Sequence, residues 1–514
     1  MELRCDLAIV GSAFGGSLLA QIARRLGHSV VLVERGRHPR FAIGESSTPM
    51  ANLLLEELAT RYGLPRLLPL CKWGTWQRTY PGIACGLKRG FAFYHHRPGE
   101  AWSPQADRGN ELLVAASPNE EVADTNWYRP DFDHFLVREA EATGSVYLDD
   151  TELTGAEFSP SGAKLTGHRH GEPVTVTARF VVDATGPRGF LWRRLALGES
   201  ALPTFPSRQA LFTHFRDVGP WLKSESRAGS GIPFGPDDSA LHHVFPGGWM
   251  WVLRFNNGLT SAGVSVSDAF AAELGLVEGA PAWERLLARL PGVARQFDQA
   301  KPVHPFQFVP RMAFRSGAIA GDRWVLLPHA AGFVDPLFST GFVLTLLGVE
   351  RLARMLEAGC EPCGGALAAY AAETDGDLVA ASRLLAAQHA ALADPESFNA
   401  LTMLYFAAVT FSETVRRLGK PAAAEGLLLR QRRGFGTAAF ELADEIASGL
   451  AVDAACMRAR IQELIEPINV AGLWCEPKRN WYGCEADDLI GAAGKLDASP
   501  EEIRAMLRRV GFAG

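Results

Sequence analysis

Leu7-Ala8-Ile9-Val10-Gly11-Ser12-Ala13-Phe14-Gly15-Gly16 decides the fold: an apolar run suited to a buried strand, then a glycine cluster, then a helical pattern reaching Leu26. Ser29-Val30-Val31-Leu32-Val33-Glu34 follows and completes a β-α-β unit of about 30 residues, so a parallel sheet starts here. Small residues at the turn let the backbone approach a pyrophosphate, whose charge faces the helix N-terminus. The middle fingerprint position is Ala13 rather than glycine. Glu34 ends the next strand about 20 residues on, where a carboxylate accepts hydrogen bonds from a ribose diol.

Working outward, 514 residues imply two to four cooperating units at about 150 residues each. Lys plus Arg number 51 and Asp plus Glu 57, a net charge of -6, with 47% apolar and 21% charged residues. These are globular values, and they exclude a disordered chain and a strongly basic nucleic-acid binder. Eight irregularly spaced cysteines do not form a disulfide framework in a chain of this length. Cys360 and Cys363 make a lone C-x-x-C without a second pair at zinc spacing, so no metal is expected. No apolar stretch reaches the ~20 residues that span a bilayer, and no secretory leader is legible, so the expectation is a cytoplasmic protein without membrane attachment.

Arg40-Phe41-Ala42-Ile43-Gly44-Glu45-Ser46-Ser47-Thr48-Pro49 comes where a nicotinamide dehydrogenase moves on to its next β-α unit. FAD therefore fits better, and with no second nucleotide motif in view, reducing equivalents are expected from outside. Helical periodicity runs from Met50 to Tyr62 and from Asp131 to Thr143, with a loop-like stretch between Arg97 and Asn126. Residues 165–182 alternate like a meander before Asp183-Ala184-Thr185-Gly186. Leu241 to Phe245 and Trp249 to Phe255 read as strands of a second, antiparallel sheet, and Trp324 to Leu327 as a strand returning to the first. Beyond Phe342 the chain is helix-forming, with breaks near Asp394-Pro395, Gly419 to Pro421 and Glu466-Pro467.

Four segments resemble the flavin-dependent halogenases, especially the branch acting on phenols such as phloroglucinol. Besides the fingerprint and Gly44-Glu45-Ser46, Ala84-Cys85-Gly86-Leu87-Lys88-Arg89-Gly90-Phe91-Ala92-Phe93 looks like the segment with the family's catalytic lysine. The resemblance implies that a flavin hydroperoxide oxidises halide to hypohalous acid. Lys88 then hydrogen-bonds that oxidant as an ammonium, or captures it as a haloamine when neutral. Asp335-Pro336-Leu337-Phe338-Ser339-Thr340-Gly341 matches the family's halide-binding turn, with the Thr340 and Gly341 amides as donors. Read alone, Ser339 and Thr340 are equally helix caps. Relatives that act on tryptophan carry a glutamate where this chain has Phe338, which argues against an indole and suits a phenol ring.

The family's Trp-x-Trp-x-Ile-Pro element appears imperfectly as Trp249-Met250-Trp251-Val252-Leu253-Arg254, with Arg254 in place of proline; the resemblance implies a wall that keeps substrate from the flavin, and read alone the two tryptophans pack one face of a strand. Arg254 is either solvated or binds a substrate anion. Arg129 is either near the flavin or on the surface. His95-His96 and His242-His243 point their rings to opposite strand faces, which disfavours a shared metal. Trp474, Trp481 and Tyr482 either help close a lid or pack in the core.

The expected fold is α/β: a Rossmann-like FAD-binding domain in three parts (1–85, 129–200 and 306–358), an antiparallel substrate domain (86–128 and 201–305) and a helical region (359–514). Expected catalytic residues are Lys88 and Glu45. Flavin contacts are expected from Gly11, Ser12, Ala13, Phe14 and Gly16, then Glu34, Arg35, Ser46 and Arg129, with Asp335 and Gly341 closing the site. The substrate pocket is assigned to Phe93, Trp249, Trp251 and Phe338. The resemblance implies FADH2-dependent chlorination or bromination of a phenolic substrate, free or carrier-bound, with a separate flavin reductase as partner and chloride or bromide as co-substrate. Its rivals are a flavin monooxygenase or reductase of the same fold and a flavin-binding protein that does not halogenate.

Overall fold

The structure is a computed structural model that describes residues 1–202, 204–222, 231–359, 364–449 and 454–512. Cys360 and Cys363 lie outside the described residues. The opening stretch folds as the strand Glu2–Val10, the helix Phe14–Arg25 and the strand Val30–Val33. Glu2–Val10 is the centre of the first sheet, paired in parallel with Val30–Val33 on one side and Glu172–Asp183 on the other. Trp324–Leu326 adds to Glu172–Asp183 and Val146–Leu148 to Val30–Val33, both in parallel. Leu7, Ala8 and Ile9 are fully buried, as expected of a strand covered on both faces. The meander is the hairpin Thr151–Ser159 and Gly162–Arg169, running antiparallel into Glu172–Asp183.

Among the described residues the second sheet has nine strands, in the order Lys301–Pro302, Arg208–Arg216, Thr260–Ser267, Gly248–Arg254, Ala240–Phe245, Gly90–His95, Glu111–Ala115 and Trp481–Tyr482, with Gln307–Val309 alongside Arg208–Arg216. Two of its members overturn expectations. Glu111–Ala115 lies inside the stretch read as loop, because five residues are too few to show a period. Trp481–Tyr482 is a strand within the region expected to be helical; it pairs in parallel with Glu111–Ala115 and closes that edge. Long-range pairing fixes both strands.

Three long helices cover the sheets' junction: Thr340–Glu357, Gly364–Ala390 and Pro395–Arg417. Asp394 caps the last through the Glu396 amide, and Pro395 occupies its first turn. Among the described residues, no helix is long and apolar enough to cross a membrane.

Between the sheets sits a separate ribbon that decides the site. Cys85–Lys88 pairs antiparallel with Asp124–Trp127, with Lys88 opposite Asp124 and Gly86 opposite Asn126. Gly86 is obligatory there, since a Cβ would lie 1.8 Å from the Arg254 carbonyl oxygen.

Candidate active site

The glycine loop is built for close approach. Gly11 has φ +102°, and a Cβ on Gly16 would lie 2.0 Å from the Gly11 carbonyl oxygen. Ala13 occupies the N-cap of Phe14–Arg25 and offers no side-chain acceptor, which leaves the first-turn amides for an anionic ligand. These features fit a dinucleotide pyrophosphate. The Phe14 ring turns inward, 5.6 Å from Trp127 and 4.9 Å from Phe342, and ties this loop to the ribbon and to the Thr340–Glu357 helix.

Glu34 accepts from the Ser12 amide at 3.1 Å, the Ser12 hydroxyl at 3.0 Å and the Gly36 amide at 3.1 Å, and it pairs with Arg40 at 3.2 Å. Burial raises its proton affinity, but Arg40 and the amides outweigh burial and hold the carboxyl below its ordinary range. Arg35 is exposed. Arg129 is buried: it forks onto Asp133 at 2.8 and 2.7 Å and donates to the carbonyls of Ile43 and Gly44, so it fastens the loop that carries Glu45 and Ser46. The surface alternative for Arg129 is thereby excluded.

Lys88 is fully buried. Its ammonium donates to the Ser46 hydroxyl at 2.8 Å and to the Ser47 carbonyl, and it stands 3.8 Å from the centroid of the Phe91 ring. Burial lowers its proton affinity, while Asp124 opposes the shift. Glu45, one residue before this anchor, is buried against His214 at 2.8 Å.

The turn before Thr340–Glu357 is held from behind. Asp335 accepts from Ser265 at 2.9 Å and from the Leu337 amide at 3.0 Å, and it lies 3.2 Å from His389. Burial raises the Asp335 carboxyl, but His389, Arg208 and Ser265 together keep it low. Its carboxylate is committed to shaping the turn. Ser339 adopts φ +56° and gives no side-chain cap, so the first-turn amides at Thr340 and Gly341 lack a side-chain partner; the capping alternative fails for Ser339. Gly341 sits tight against His329: a Cβ there would lie 2.9 Å from His329 Nε2 and would push the ring aside.

The aromatic candidates form one cluster. Phe93 stacks on His242 at 4.7 Å and meets Phe338 edge-on at 6.2 Å. Phe338 is fully buried and stacks on Tyr405 at 4.1 Å and 13°, so Tyr405 takes the face expected for a substrate ring. Trp249 and Trp251 are buried side by side at 5.7 Å, and Trp249 is 5.4 Å from His242. Arg254 is half-buried and engaged within the protein: it pairs with Asp237 at 3.0 Å and donates to the carbonyls of Val218 and Gly219. A cavity of about 360 Å³ reaches Phe91, Thr340 and Tyr405, with Thr48, Glu413 and Tyr482 also on its wall. Tyr482 thus belongs to the cavity, while Trp481 donates to Glu111 at 3.0 Å beneath Arg108.

Sequence reading missed Asp124, Asn126, His214, His329 and Tyr405. The first two sit in a strand read as loop, and only the ribbon register sets Asp124 against Lys88 and Asn126 against Gly86. His329 stacks on Phe333 and meets Thr345 at 2.7 Å; burial, then Arg129, lowers it to about 4.

The chain is 31% identical over 357 residues to monodechloroaminopyrrolnitrin halogenase PrnC of Pseudomonas fluorescens, covering 68% of this chain and 61% of that one. It is 30% identical over 365 residues to tetracycline 7-halogenase of Kitasatospora aureofaciens, covering 69% and 63%. The chain thus spans less than two thirds of the length of these curated relatives. The solved structure of halogenase PltM in complex with phloroglucinol and FAD aligns with a TM-score of 0.81 over 92% of this chain and 99% of that chain, at 23% identity, a likeness of fold. The profile of the tryptophan halogenase family matches residues 127–394, just over half of the 514, and the chain belongs to that family.

Proposed function

We propose that this protein halogenates an aromatic, phenolic substrate with FADH2, O2 and chloride or bromide, and that Lys88 directs the oxidant. The observation that carries the reading is the fully buried Lys88 amine, anchored by Ser46 and Ser47 against the Phe91 ring, whose side lines the cavity. Relatives named for pyrrolnitrin and tetracycline halogenation, and the phloroglucinol complex of PltM, support an aromatic substrate.

Bound reduced FAD supplies, with O2, the two-electron oxidation of halide to hypohalous acid. The glycine loop holds its pyrophosphate, and Glu34 with Ser12 orders the turn beside it. The Thr340 and Gly341 amides hold the halide, as an uncapped helix start favours an anion. Trp249 and Trp251 separate the flavin from the substrate. At Lys88, a neutral amine takes halogen from hypohalous acid: an N–X bond forms, the O–X bond breaks, and the amine proton leaves with hydroxide as water. The phenol then attacks the halogen, loses its ring proton and returns the amine. A separate reductase supplies FADH2.

The test is incubation with a flavin reductase, FAD, NADH, air, bromide and a panel of phenols, indoles and pyrroles, read by mass spectrometry. A bromine isotope doublet on a phenol is expected, and Lys88→Met should abolish it while FAD still binds. An oxygenated product without bromine would replace this reading with a monooxygenase.

A further inference from the structure

The ribbon register places an acid directly across from the reactive amine. Lys88 and Asp124 are an antiparallel cross-strand pair, whose Cβ atoms stand about 5 Å apart. Both side chains are buried. The Asp124 Oδ1 accepts from Asn52 at 2.8 Å, whereas Oδ2 is buried with no hydrogen-bond partner. An unpaired buried carboxylate oxygen costs free energy unless it carries a proton or faces a cation. Lys88 is that cation, and it in turn has only neutral partners, Ser46, Ser47 and Phe91.

We propose that Asp124 is the positioning residue that sets the charge of Lys88, its buried carboxylate acting on the amine across the ribbon without a hydrogen bond between them. In one arrangement the pair is ammonium and carboxylate. In the other both are neutral: the nitrogen has given up one proton to solvent and the carboxylate has taken one up. The net charge is the same in both, so the amine's lone pair becomes available without bringing charge into or out of the buried site. This rests on the reading of Lys88 as the group that receives the oxidant.

The electrostatics agree in direction. Burial pushes Asp124 up, with Lys88 opposing and Glu413 adding to the rise, while Asn52 and Arg417 lower it. Arg417 is itself engaged with Glu413 at 2.6 Å, which leaves Lys88 as the principal cation facing the acid. The Cys484 thiol also feels Asp124 and Glu413 and is pushed up to about 12 by burial, so it stays neutral. On the other side His242 faces Lys88 and is lowered to about 3 by burial and then by Lys88, so it adds no charge.

The test is a titration of the full-length protein labelled with [ε-13C]lysine, from about pH 5 to about pH 10, with the Lys88 resonance assigned by its loss in Lys88→Met. In Asp124→Asn, which keeps an acceptor for Asn52, the Lys88 resonance should titrate about one pH unit or more lower, a tenfold loss of proton affinity. The acid limb of bromination should move the same way. Asn52→Ala weakens the carboxylate's hold on its charge and should shift Lys88 in the same direction by less, which keeps the test open if Asp124→Asn does not fold. An unmoved Lys88 titration in the folded variants overturns the proposal. The resonance is read without turnover, so absence of halogenation with a shifted titration would count against the proposed function alone.

Discussion

Burying an ammonium costs several kcal/mol unless local partners return it. Lys88 meets two oxygens and a ring face, so its anchor depends on single atoms of Ser46, Ser47 and Phe91. The same dependence on single atoms governs the glycine loop. Gly16→Ala should destabilise the protein by about 3 kcal/mol, read as a lower urea midpoint, because its Cβ would collide with the Gly11 carbonyl oxygen. FAD binding, measured by flavin fluorescence quenching, should weaken with it. Residues singled out by their own type reappear as buried or tightly packed groups: Lys88 between glycines, and Gly11 and Gly16 at a strand-helix junction. Asp124, Asn126 and His214 were not legible, because an Asp in an unremarkable polar stretch becomes significant only when the register sets it against Lys88. Arg129 was legible as a candidate, but its partners, Asp133 and the Ile43 and Gly44 carbonyls, depend on tertiary placement.

At the scale of elements, the strand Gly248–Arg254 shows how a changed residue is absorbed. Two tryptophans remain on one face of the strand, and Arg254 at its end ties it to Asp237 and to the carbonyls of Val218 and Gly219. Arg254→Ala should cost about 2 kcal/mol, since it removes charged hydrogen bonds that are mostly shielded from water. The expected signature is a lowered urea midpoint with little change in bromide incorporation at permissive temperature. The β-α-β unit was visible because its period and turn chemistry are local. The Glu111–Ala115 and Asp124–Trp127 strands were not visible, because each is too short to show a period and is stabilised by partners distant in sequence.

At the scale of the whole molecule, several histidines are locked in the interior as neutral rings. Burial lowers His95 and His329 to about 4 and His242 and His243 to about 3. In an unfolded chain each would bind a proton below its ordinary value of about 6.5. Between that value and their folded values the unfolded state therefore holds more protons, and stability falls as pH falls. The slope is about 1.4 kcal/mol per pH unit for each ring. Thermal unfolding followed by circular dichroism should show a melting temperature that is level above about pH 7 and drops steeply from about pH 6 to about pH 4. His243→Gln, which retains a polar group beside Gln296, should flatten that drop. The closing strand Trp481–Tyr482 also bears on how the protein is made. Its partner, Glu111–Ala115, leaves the ribosome several hundred residues earlier. At about 10 residues per second the nascent chain carries that open edge for tens of seconds. Chains halted short of residue 481 keep it permanently, and they are expected to pair with one another and collect as insoluble material.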